Sequence, residues 1–123
     1  MVLRTLKTFA VVLLIAVLGC QTKPSTSQML VSSAGPERMR AVMRLAKQNR
    51  WENVPTLISF LEDEDGSVRL IAIGALDDQV GTTMGFRSTD PAEDRAVAVE
   101  SWKQWWQTDG HRGPHARPKP TSP

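Results

Sequence analysis

Val54-Pro55-Thr56-Leu57-Ile58-Ser59-Phe60-Leu61 and, four residues later, Gly66-Ser67-Val68-Arg69-Leu70-Ile71-Ala72-Ile73-Gly74-Ala75-Leu76 hold two apolar stripes of helical period. Val54, Leu57, Ile58 and Leu61 recur at the three-and-four spacing that gathers side chains on one helix face. Pro55 suits a first turn, where its missing N–H costs nothing, and Asn53 stands where a cap is expected. This predicts a helix over 53–62. Val68, Ile71, Ala72, Ala75 and Leu76 form the second stripe, predicting a helix over 67–79, reached through the acidic turn Asp63-Glu64-Asp65-Gly66.

The same period extends in both directions. Met39, Val42, Met43 and Ala46, behind Pro36 and Glu37, predict a helix over 36–49. Asp90-Pro91-Ala92-Glu93 has the order of a cap, a first-turn proline and a returning carboxylate, so a fourth helix is expected to start there and run to about Gln107. Ala92, Ala96, Val99, Trp102 and Trp106 would form its face, with Trp105 beside them. The stretch from Gly81 to Thr89 reads as a loop. No segment alternates as a strand does, so the fold class is all-α, a bundle of about four helices.

The helices for residues 54–76, with Pro55 at the start of one and Val68-Arg69 followed by Ala72 and Ala75 in the other, resemble one HEAT-type repeat. The resemblance implies close packing of the second helix through its alanines, with Leu57, Ile58 and Leu61 filling the groove between the two. It also implies a flanking role for the first helix. Stacked repeats need about three units to be stable, so either the fourth helix closes the array or the assembly includes another chain. Trp102 and Trp106 are the candidate cap, since each tryptophan buries some 150–250 Å². Trp51, Trp105 and Trp106 are candidate partner-binding residues.

Ahead of the helices, Met1 to Lys7 carries two cations and no acid, Thr8 to Leu18 is apolar, and Gly19-Cys20 follows. This is the three-part build of a secretory signal, with an apolar run too short for an ordinary spanning helix. Val17-Leu18-Gly19-Cys20 resembles the lipobox of bacterial lipoproteins, which implies a signal peptide over 1–19 and lipidation of Cys20. Leu18 is bulkier than the usual residue at its place. Gln21 after the cysteine implies an outer-membrane destination in a two-membrane cell and the plasma membrane otherwise. Acyl chains anchor at about 0.8 kcal/mol per buried methylene, so two or more give stable attachment.

Residues 20–35 are rich in Ser, Thr, Pro, Lys and Gln and read as a flexible tether; residues 110–123 hold four prolines and three cations and read as a disordered basic tail. The domain is then 36–109, small enough that a single core supplies no more than about 3–5 kcal/mol. The chain has a net charge of +2, but Arg4 and Lys7 lie in the leader, and residues 33–109 carry 9 basic and 13 acidic residues. That balance excludes a phosphate-binding footprint, and nucleic acid is not an expected partner.

The chemistry-bearing residues point away from catalysis. The domain ahead of the tail has no histidine or free cysteine for a nucleophile and base, and no glycine-rich phosphate loop, so neither an enzyme nor a small-molecule substrate is expected. His111 and His115 have helical metal-ligand spacing, but Gly113 and Pro114 between them prevent that helix, so no metal or other cofactor is expected. The acidic cluster Glu62 to Asp65 lacks the alternating spacing of a calcium loop and reads as a solvated turn. Arg69 is expected to pair with an acid of a neighbouring turn.

The function these observations imply is a lipid-anchored envelope protein with an interaction or scaffold role, its partner an envelope protein. The alternative is a module that binds anionic membrane surface through the basic helix 36–50, with Arg38, Arg40, Arg44, Lys47 and Arg50.

Overall fold

A computed structural model describes Leu30 and residues 34–118; the expected signal peptide, Cys20 and most of the tether lie outside these residues. The chain runs through α1 (Gly35–Gln48), α2 (Val54–Ser59), α3 (Gly66–Val80) and α4 (Ala92–Thr108). Short 3-10 turns at Trp51–Asn53 and Phe60–Glu62 extend α2 at both ends, and two more at Gly110–Arg112 and Pro114–Ala116 follow α4. No strand occurs among the described residues, and the fold is a small all-α bundle of four helices. Among those residues no helix is long and apolar enough to cross a membrane.

The helices pack in the order α1 on α3, α3 on α2, and α2 on α4. α2 holds to its predicted stripe: Val54, Leu57, Ile58 and Leu61 are all buried. α3 buries more than one stripe, because it lies between two neighbours: Val68, Ala72, Ile73, Ala75, Leu76 and Val80 are all in the core. Its first turn is capped by Asp65, whose carboxylate accepts the Ser67 N–H at 2.8 Å, and it stops at Gly81, whose φ of 87° is strained for a residue with a Cβ.

Two faces differ from expectation. In α1 the inner residues are Arg38, Ala41, Val42 and Leu45, while Met43 points outward. Ala41, Val42 and Leu45 share this face with Arg38 at three-and-four spacing, and the Arg38 guanidinium reaches inward to the nearly buried Asp63 carboxylate. In α4 the buried residues are Ala98, Val99 and Trp102, and Ala92 and Ala96 are exposed. Turning the helix this way brings Trp105 against Trp51 and leaves Ala98 as the one alanine of α4 in the core.

Two caps also differ. Asp90 does not cap α4: its carboxylate pairs with Arg87 at 2.8 Å, its carbonyl accepts from Arg95, and Pro91 holds the cap position without a side-chain bond. Asn53 does not cap α2; its amide donates back to Gln48 Oε1 at 3.0 Å and to the Leu45 carbonyl, tying the turn to the end of α1.

The acidic turn is structural. Asp63 is nearly buried and accepts from Arg38 Nε at 2.8 Å and Nη2 at 3.1 Å, while Glu64 takes a third Arg38 bond at 3.0 Å. Burial pushes the Asp63 carboxyl up, but the Arg38 hydrogen bonds, the Asp65 N–H and the charges of Arg38 and Arg69 outweigh it and hold the group below the usual carboxylate range. Arg69 bonds to carbonyls and not to an acid side chain: Asp63 O and Glu64 O on one side and Ser88 O on the other. One planar guanidinium thus pins the α2–α3 turn to the α3–α4 loop.

Candidate binding site at the tryptophan cluster

Four indoles meet at the end of the bundle formed by α2, α4 and the turn before α2. Trp102 is fully buried and donates to the Thr83 carbonyl at 3.1 Å, which holds the loop over the core together with buried Phe86. Trp105 sits at the centre, edge-on to Trp102 at 5.6 Å, to Trp51 at 6.0 Å and to Trp106 at 6.1 Å. Such edge-to-face pairs add about 0.5–1.5 kcal/mol each beyond the area they bury.

The chain after α4 turns back over this cluster, so the disorder expected over 110–123 does not hold for residues 110–118; residues 119–123 lie outside the description. Trp51 Nε1 donates to the Gly110 carbonyl at 2.8 Å and Trp105 Nε1 to the Ala116 carbonyl at 3.2 Å. Gly110 is buried against the faces of Trp105 and Trp106, and His111 Nδ1 lies 3.0 Å from the Trp106 carbonyl. Composition alone read this segment as unable to order itself. It orders because the indoles of other elements supply the apolar surface and the donors that the tail lacks.

The sequence-predicted candidates therefore separate. Trp51 and Trp105 are half-buried and their N–H groups are both taken by the tail. Trp106 is also half-buried, but its indole N–H has no acceptor among the described residues. Its ring lines a shallow apolar hollow of about 140 Å³ between α2 and α4, with Pro55, Ile58, Ser59, Lys103 and Gln107. Lys103 at its edge pairs with Glu62 at 2.9 Å. Pro55 and Ser59, four apart on the outer side of α2, and Lys103 and Gln107, four apart on α4, are not marked as site residues by the sequence, where Pro55 reads only as a helix start. Their spacing was visible, but that the two rows face each other follows only from the packing of α2 on α4.

His111 and His115 fall in separate 3-10 turns, and no group of three or more His, Cys, Asp or Glu among the described residues could hold a metal ion. Comparison with protein-family models, with curated proteins and with solved structures gave no match to this chain.

Proposed function

We propose that this chain is a lipid-anchored envelope protein, attached through Cys20, whose helical domain binds a protein partner in the groove between α2 and α4. The observation that carries the binding role is the Trp106 indole: of the four, it alone has no hydrogen-bond acceptor among the described residues, and its ring lines an apolar hollow beside Pro55 and Ile58. The partner such a site suits presents an apolar side chain and a backbone carbonyl for the indole N–H. Aromatic anchors of this kind dominate the energy of protein interfaces. The pairing of α2 with α3 through a short turn supports the HEAT-like reading.

The anchor is tested by detergent-phase partition and intact mass of the processed chain. Acylation at Cys20 predicts recovery in the detergent phase and its loss in Cys20→Ala; a water-soluble, unacylated product would refute the anchor. The groove is tested by a photo-crosslinking residue in place of Gln107. A discrete envelope-protein adduct is expected, abolished by Trp106→Ala and retained in Trp51→Phe; an adduct indifferent to Trp106 would refute the site.

A further inference from the structure

We propose that the outer face of α1 docks on an anionic bilayer and sets the orientation of the domain on the membrane. This uses the anchor reading only for the nearness of a bilayer and concerns a face that shares no lining residue with the Trp106 groove. Arg40, Arg44 and Lys47 are exposed and, at 3.6 residues per turn, fall within an arc of about 60° along about 10 Å of helix. Met43, 42% exposed, lies beside them, and these four residues line one shallow surface hollow. Among the described residues no carboxylate pairs with any of the three cations, and Glu37, in the first turn, is the one acid of α1.

Arg38, which the sequence counts with these cations, is turned inward to Asp63 and Glu64, so the structure narrows the basic helix to a definite face. Charge complementarity then selects both the surface and the orientation. The described span 34–118 carries 13 acidic and 11 basic residues, so overall charge does not draw the domain to an anionic bilayer and this face supplies the attraction. The covalent reach agrees. The ten residues from Cys20 to Leu30 span at most about 35 Å, and Leu30 packs against the core just ahead of α1, so an acylated Cys20 leaves this helix within reach of the headgroups. Cations attract at the surface while Met43 offers a flexible apolar side chain to the interface.

The test uses the chain from residue 20 with Cys20→Ala, so that no acyl group contributes, in cosedimentation with vesicles of phosphatidylglycerol and phosphatidylcholine or of phosphatidylcholine alone. Binding is expected to the anionic vesicles only and to weaken as salt rises. R40E/R44E/K47E is expected to lower partitioning by about two orders of magnitude, while R87E/R112E, with the same kind of change on other elements, leaves most of it intact. R40Q/R44Q/K47Q, which places no new like charges along the helix, is the second variant should the first lose its fold, and it too is expected to bind weakly. Equal binding to both vesicle types, or equal losses in the α1 and control variants, would overturn the proposal. Binding by the unacylated chain stands whether or not Cys20 is lipidated, so failure of the anchor and failure of this face give different results.

Discussion

At the scale of single residues, two buried polar groups behave in opposite ways. Gln79 is 4% exposed and neither atom of its amide has a hydrogen-bond partner. A buried amide without partners gives up its hydration for nothing, so Gln79→Leu is expected to stabilise the fold by about 1–3 kcal/mol, measured by urea unfolding. Asp63, by contrast, is fully engaged. Its carboxyl is held below its ordinary value, so its contribution is complete above the unfolded value of about 3.9 and is lost as pH falls through the lower folded value. The thermal midpoint should therefore decline on the acid side below about pH 4. In Asp63→Asn the midpoint is expected to be lower at neutral pH, because Arg38 loses the more buried of its two charged partners, and its acid-side decline to be shallower. A decline as steep as in the parent would refute the assignment.

At the scale of elements, the tail after α4 is the segment most exposed to test. A Cβ on Gly110 would lie 2.8 Å from Trp106 Cε3 and 2.9 Å from Trp105 Cη2, and packed indoles have little room to give way. Gly110→Ala is expected to lift the tail, lower stability by about 1–3 kcal/mol, and shift tryptophan emission to longer wavelength; a chain ending at Asp109 should show the same emission. The existence and order of the four helices were legible from apolar spacing and, for α4, from the Asp90-Pro91 start signal, and α2 kept its predicted stripe to the residue. What the spacing could not supply was rotation. Arg38 counted as a surface residue by type yet occupies an inner position of α1, because its partner lies 25 residues away on another turn. Local capping signals misled for the same reason: Asp90 finds a cation at Arg87 before it finds the α4 backbone. The tail was illegible because its order is borrowed from Trp51 and Trp105, residues of other elements. Trp102, Trp105 and Trp106 were readable as a run on one helix, but that Trp51 joins them follows from packing, and that Trp51 and Trp105 are engaged and the Trp106 N–H is not depends on where the tail returns.

At the scale of the whole molecule, the domain is held by contacts that skip along the chain. Arg38 ties α1 to the turn before α3, Arg69 ties that turn to the following loop, Trp102 fixes the loop, and Trp51 closes on the tail. Sequence pattern gives the pieces of such a structure and not these ties. The position of α3 between α1 and α2 also sets how the protein opens. Its backbone amides should be the last to exchange in deuterated water, with Ala72 to Leu76 reporting opening of the entire domain, whereas amides of the tail should exchange through a smaller local event. The tail can then lift from the indoles while the middle of the protein stays shut.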